Sequence, residues 1–419
     1  MGSAVKSSYR WTICALLFAV TTVNYVDRQV LGILAPTLQH DLHWSESQYG
    51  DIVSWFSLVY AFGFLAAGRW LDRIGVRRGF AIAVVAWSLA AIAHAFTRTA
   101  AGFSAARAAL GLGESANFPG AVKTVAEWFP KRERALATGI FNAGTNTGAI
   151  VAPLVVPWIT LRWGWPWAFI ATGALGFLWL VLWLALYRNP APGEAPSDPV
   201  DDAPVTIPWI RYFRYRQTWA VIAGKTLADP IWWFYLYWLP KFLDTRYGIK
   251  LAQVALPLIV VYLLADVGSV TGGWLSSRMM KRGATANRAR KTAMLLMALI
   301  IVPTAFAPAA GSMWTAVLIV AVAAAAHQGW SANVYTLASD MFPKAAVGTA
   351  IGIGAFGGAM GGVVFQRLTG RILQANGNDY TPIFVVCGLA YVTAWALIHL
   401  LAPRLEPVDV AGPPDIVEA

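Results

Sequence analysis

The chain has 419 residues, 58% of them hydrophobic and only 13% charged, too few charges to wrap a soluble core of this size in a polar shell. Its 32 Lys and Arg against 21 Asp and Glu give a net charge of +11, yet the basic residues sit in short clusters between apolar runs. That pattern excludes a nucleic-acid-binding face and reads as a topology signal, while the absence of short alternating segments excludes a membrane barrel.

Apolar runs long enough to cross a hydrocarbon core predict helices over 11–34, 50–71, 79–97, 100–127, 134–157 and 165–187, then 217–243, 252–277, 291–308, 313–339, 346–371 and 381–402. The fold class expected is an all-α membrane protein of twelve transmembrane helices in two pseudo-symmetric six-helix bundles. The bundles occupy 1–187 and 217–403, joined by a linker, 188–216, and followed by a tail, 404–419. Pro190, Pro192, Pro196, Pro199, Pro204 and Pro208 stand among acidic and small residues in the linker, a composition that cannot pack as a core.

Every even-numbered junction is basic, from Arg69, Arg73, Arg77 and Arg78 after the second span to Arg278, Lys281 and Arg282 after the eighth. The first external loop, 34–50, has no Lys or Arg, so both termini are expected in the cytoplasm. Lys241, Arg246 and Lys250 after the seventh span are the exception. Cys14 and Cys387 lie inside predicted spans near opposite ends of the sequence, which argues against a structural disulfide. The first span runs on without a cleavage site and is expected to be retained.

The two halves repeat one another. Gly68-Arg69-Trp70-Leu71 is echoed by Gly272-Gly273-Trp274-Leu275, and Phe129-Pro130-Lys131 through Gly139-Ile140 by Phe342-Pro343-Lys344 through Gly352-Ile353. Parallel halves of this kind are a recurrent transporter plan with the substrate site near the midplane.

Gly68-Arg69-Trp70-Leu71-Asp72-Arg73-Ile74-Gly75-Val76-Arg77-Arg78 resembles the signature loop between helices two and three of the major facilitator superfamily. The resemblance implies a cytoplasmic latch between the halves made by Asp72, Arg73 and Arg77; in the second copy Ser276 replaces the Asp. Further stretches resemble the anion:cation symporter branch, and most of all bacterial hexuronate transporters. They are Asn24-Tyr25-Val26-Asp27-Arg28, Gly113-Glu114-Ser115-Ala116-Asn117-Phe118-Pro119, Asp229-Pro230-Ile231-Trp232-Trp233-Phe234 and His327-Gln328-Gly329-Trp330-Ser331-Ala332-Asn333. This implies uptake of a small organic anion with protons at a bacterial inner membrane, by a lipid-embedded monomer needing no cofactor or metal.

Ionisable groups inside spans are costly, so each is a functional hypothesis. Arg28 is the natural clamp for a substrate carboxylate because its planar fork offers two parallel donors and stays charged; the alternative is neutralisation of a neighbour within the bundle. Arg107 and Glu114, seven residues apart, share a face of the fourth span. Glu114 reads as a proton carrier, the alternative being a permanent salt bridge to Arg107, while Arg107 is expected to partner Asp27. By the resemblance, Asp27 contributes to coupling. Lys123 is expected to pair with Glu127.

Sugar hydroxyls need neutral donors and acceptors. Tyr25, Tyr60, Asn117 and Asn146 supply them in the first half, and Gln328, Ser331 and Asn333 in the second, with Trp330 offering an aromatic face. The alternative for each is an interhelical hydrogen bond. Lys225 and Asp229, four apart before Pro230, read as a gate, and His327 as either a titrating or a satisfied interhelical group. The glycines from Gly348 to Gly362, with Gly139, Gly144 and Gly148, read as close-packing surfaces. A membrane-embedded enzyme lacks a nucleophile, metal cluster or phosphate loop here. The cargo expected is a hexuronate such as galacturonate or glucuronate, with galactonate, glucarate, tartrate or an aromatic acid as alternatives; a non-transporting sensor is the remaining rival.

Overall fold

The structure, a computed structural model, describes residues 2–190, 208–342 and 344–408. Linker residues 191–207 and tail residues 409–419, along with Pro343 of the second echo, lie outside the described residues. Fourteen helices follow in order: α1 (Gly2–Leu42), α2 (Glu46–Ile74), α3 (Val76–Ala93), α4 (Ala100–Glu114), α5 (Asn117–Trp128), α6 (Lys131–Trp163), α7 (Trp165–Leu186), α8 (Trp209–Tyr212), α9 (Arg216–Tyr247), α10 (Ala255–Lys281), α11 (Ala286–Ile301), α12 (Met313–Met341), α13 (Lys344–Ala375) and α14 (Thr381–Leu401). No strand occurs among the described residues.

Nine described helices are long and apolar enough to cross a membrane. The expected spans missing from that set are α1, the α4–α5 pair and α9, and each of them carries buried charge: Asp27 and Arg28, Arg107 and Glu114, Lys225. The same side chains that lower the apolarity of these helices form the candidate sites below.

The expected single span 100–127 is broken into α4 and α5 at Ser115 and Ala116. Pro119 explains the break, since its ring clashes with the carbonyl four residues back and removes a donor. Similarly, the expected helix 291–308 passes after Ile301 into a 3-10 turn, Val302–Ala309, that contains Pro303 and Pro308. At the α2–α3 corner Gly75 adopts φ +80°, a left-handed value that favours glycine, and its amide donates to the Leu71 carbonyl. Ser45 begins α2 with a capping box, accepting from the Gln48 amide while the Gln48 side chain accepts from its own.

The helices divide into two units, α1–α7 with the short turn Leu251–Gln253, and α8–α14. In the first, α1 packs along α6 and α7, α2 on α4, and α3 on α4 and α7. In the second, α9 packs along α13 and α14, and α11 on α12 and α14. The matching pairings follow the sequence echoes.

Glycine sets the closest of these approaches. A Cβ at Gly144 would lie 2.5 Å from the Phe18 carbonyl and one at Gly148 2.6 Å from that of Thr22, whereas Gly139, Gly348 and Gly352 face open space. The exceptional basic residues near the end of α9 are also accounted for: Lys241 is buried against Trp238, and Arg246 donates to the Pro308 carbonyl at 3.1 Å.

Candidate functional site

In the first unit, α1 and α4 bring opposite charges together in the apolar interior. Arg28 donates through Nε (3.0 Å) and Nη2 (2.8 Å) to one oxygen of Glu114, and through Nη2 to Asn24 Oδ1 at 3.3 Å. Both groups are enclosed, with Arg28 5% and Glu114 0% exposed. The bonding is side-on: it uses Oε2 twice and leaves Oε1 buried without a hydrogen-bond partner among the described residues. Three rings surround the guanidinium, with centroids 4.8 Å (Tyr25), 5.0 Å (Phe56) and 5.0 Å (Tyr60) away. Aromatic faces hold a cation without a second charge, and Arg keeps its planar fork there at little hydration cost.

This pairing differs from the Arg107–Asp27 pair expected from sequence and from the Glu114–Arg107 salt bridge held as the alternative. Glu114 pairs with Arg28 and not with Arg107, although Arg107 shares its helix face. Arg107 does not form the expected pair with Asp27 either; both of its Nη atoms reach the Arg28 carbonyl at 3.4 Å. Asp27 is buried beside Thr172, Arg107 and Glu114, and among the described residues neither carboxylate oxygen is in a hydrogen bond of normal geometry. Two guanidinium groups and two carboxylates therefore share one buried cluster that is formally neutral when all four are ionised. Asn24, a partner of Arg28, was not singled out from sequence, although a polar residue four before an intramembrane Arg is a usable signal.

Of the neutral candidates on this side, Tyr25 and Tyr60 join the cage around Arg28. Asn117 opens α5 just past the break, buried, with its Oδ1 unpartnered among the described residues. Asn146 is half-buried on α6 and accepts from the Thr145 hydroxyl at 3.2 Å.

The second unit divides its candidates by helix face. Gln328 and Ser331 lie on the half-exposed side of α12, but Trp330 and Asn333 turn inward. Trp330, 1% exposed, donates to the Gly224 carbonyl at 3.3 Å and meets Tyr391 edge-on, and Asn333 donates to the carbonyls of Gly272 (3.2 Å) and Gly329 (2.8 Å). The Trp330 ring nitrogen thus spans to α9, while Asn333 bonds one carbonyl of α10 and one of its own helix and keeps Oδ1 buried without a partner among the described residues. His327 is likewise enclosed, stacked on Trp232 and hydrogen-bonded to the Tyr391 hydroxyl. Sequence reasoning also passed over Tyr335, which contacts Lys225, and Asp266, a carboxylate within α10 whose Oδ1 is buried without a partner among the described residues.

At the signature loop, Asp72 pairs with Lys123 of the same unit, and Arg77 donates to the Leu184 carbonyl at 2.8 Å. Arg73 is exposed at the end of α2. Lys123 was expected to pair with Glu127; Glu127 instead accepts from the Tyr187 hydroxyl at 3.3 Å. Lys123 and Glu127 are both half-buried, and the Lys123 ammonium is taken by Asp72 at the end of α2.

The family profile of the Major Facilitator Superfamily matches residues 17–365. The chain is 29% identical over 416 residues to the hexuronate transporter of Escherichia coli strain K12, covering 96% of both chains. It is 32% identical over 286 residues to the galacturonate transporter of Dickeya chrysanthemi, covering 65% of this chain and 83% of that one. To the D-galactonate transporter of Escherichia coli O6:H1 it is 27% identical across 98% of each chain. Among solved structures, a D-xylose-proton symporter superposes with a TM-score of 0.75 at 17% identity over 95% of this chain and 99% of that one, a likeness of fold alone.

Proposed function

We propose that this chain, which belongs to the major facilitator superfamily and is a multi-pass membrane transporter and not an enzyme, imports a hexuronate such as galacturonate or glucuronate together with protons. The observation that carries the reading is the side-on pairing of Arg28 with Glu114 inside a formally neutral buried cluster. A proton taken up by Glu114 removes the counter-charge of Arg28, whose fork is then available to a carboxylate from the substrate. Loss of that proton restores the Arg28–Glu114 pair and expels the anion. One proton with one monoanion leaves the formal charge of the cluster unchanged, which is the least costly way to cycle charge through a low-dielectric interior.

In this reading Tyr25, Tyr60, Asn117 and Asn146 of the first unit serve hydroxyl groups of the cargo, and Gln328 and Ser331 are the candidates from the second. Asp27 and Arg107 tune Glu114 through the shared field of the cluster, and Asp72, Arg73 and Arg77 serve as a cytoplasmic gate during alternating access. The chain is read as a monomer in a bacterial inner membrane with both termini in the cytoplasm. An aldonate such as galactonate is the second reading, favoured by the near full-length similarity to the D-galactonate transporter.

Counterflow in proteoliposomes preloaded with unlabelled acid tests the substrate. Labelled galacturonate should enter transiently, competed best by glucuronate. Failure of galacturonate to enter while galactonate does would move the substrate to the aldonates, and failure of every sugar acid would end the reading.

A further inference from the structure

The second unit holds an intramembrane ion pair, the one read from sequence as a gate, that takes no part in the Arg28–Glu114 cluster. Lys225, 4% exposed on α9, bonds Asp229 at 2.8 Å one turn later, and its ammonium lies 3.3 Å from the Tyr335 hydroxyl and 4.5 Å from the centre of that ring. The Lys225 side chain is closed in (5% exposed), but that of Asp229 reaches the surface (22%), and Tyr335 is 44% exposed. Helix α13 is kept bare to seat the carboxylate: a Cβ at Gly358 would stand 2.4 Å from Asp229 Oδ2.

On α12, Gln328 and Ser331 are half-exposed and Tyr335 is exposed, at i, i+3 and i+7, a spacing that puts the three on one face of the helix. Polar side chains held together on one face of a spanning helix, next to a buried charge pair, mark a watered path in preference to lipid.

Resting on the sugar-acid reading of the cargo, we infer that Lys225, Asp229 and Tyr335 form a polyol subsite that reads the hydroxyl groups of the acid and discriminates against a second carboxylate. A hydroxyl both donates and accepts, so it can give its proton to Asp229 while accepting from Lys225 or Tyr335, and a neighbouring hydroxyl can do the same in the reverse order. The pair is neutral as a whole and costs a neutral polyol no charge. A second carboxylate attracted to Lys225 would come up against the Asp229 carboxylate, and like charges in a site of low dielectric repel strongly. The subsite therefore sorts aldonates and uronates from aldarates of the same length.

Equilibrium binding to the purified full chain in detergent tests this with three probes: galactonate, galactarate, and D-glycerate, which keeps a carboxylate but lacks the distal hydroxyls. The wild type should favour galactonate over galactarate. In Asp229→Asn the preference should move toward galactarate by tenfold or more, because Lys225 is left as an uncompensated cation. Tyr335→Phe, a change at a partly exposed position that keeps the ring, should weaken galactonate at least fivefold and leave glycerate within twofold. A galactonate-to-galactarate ratio that stays within twofold in Asp229→Asn overturns the inference, as does unchanged galactonate binding in Tyr335→Phe, which decides alone if Asp229→Asn does not fold. A wild type that binds none of the three acids overturns the sugar-acid reading itself, and this inference with it.

Discussion

Arg28→Lys keeps the charge of the buried cluster and removes only the geometry of the fork. Arg28 places two donors on one Glu114 oxygen and a third bond on Asn24, inside a cage of three rings. An ammonium at the end of a shorter, flexible stem can hold one charge-assisted bond where the guanidinium holds two. Each such bond contributes about 1.5–3 kcal/mol, so a carboxylate taken in fork geometry should bind roughly ten- to a hundredfold more weakly. The ligand-free protein also gives up one bond to Glu114 but keeps a cationic partner for it, so its loss of stability should stay below that of full charge removal. Arg28→Met, by contrast, leaves Glu114 buried and unpaired at a cost of about 3–5 kcal/mol. Isothermal titration with galacturonate, alongside thermal unfolding without ligand, separates the two effects. If Arg28→Lys binds galacturonate within twofold of the wild type, Arg28 is not the carboxylate clamp.

Three further outcomes follow from the same geometry. Glu114→Gln retains an acceptor for Arg28 but cannot cycle a proton, so uphill accumulation should be lost while counterflow persists; surviving accumulation would remove Glu114 from the coupling step. Gly148→Val forces atoms against the Thr22 carbonyl and the Tyr25 Cβ, 2.6 Å and 2.7 Å from the first added carbon, and should destabilise by about 1–3 kcal/mol, whereas Gly352→Ala, in open space, should fall within about 0.5 kcal/mol of neutral. Paired thermal denaturation checks both. Trp330→Phe loses the bond to the Gly224 carbonyl and part of the packing of a buried indole, and should cost about 1–3 kcal/mol of stability with no change in substrate affinity; a large affinity loss would assign Trp330 to the site.

The general plan was legible from the sequence because intramembrane charge is rare and costly. Asp27, Arg28, Arg107, Glu114, Lys225 and Asp229 each interrupt an apolar run, and the structure gathers the first four into one cluster. Their partners were not legible, since helical spacing ranks neighbours on one helix and says nothing of reach between helices. Arg107 and Glu114 share a face, yet the shorter path for Glu114 crosses to α1.

The break between α4 and α5 was open to a closer reading, with Pro119 placed to disturb the carbonyl at Ser115. Separating Gln328 and Ser331 from Trp330 and Asn333 was harder. In a soluble helix the apolar side marks the core, but lipid is as apolar as a packed interior, so hydropathy does not say which face of α12 meets its neighbours. Tyr335 entered only through Lys225, which is 110 residues away in sequence.

The central claim is that movement of a sugar acid is tied to movement of protons. Uptake of labelled galacturonate into proteoliposomes under an imposed inward proton gradient tests it most directly. The account predicts accumulation above the equilibrium level that collapses when a protonophore is added, and none in Glu114→Gln. Accumulation that persists with the protonophore, or that equals passive equilibration in the wild type, would contradict it.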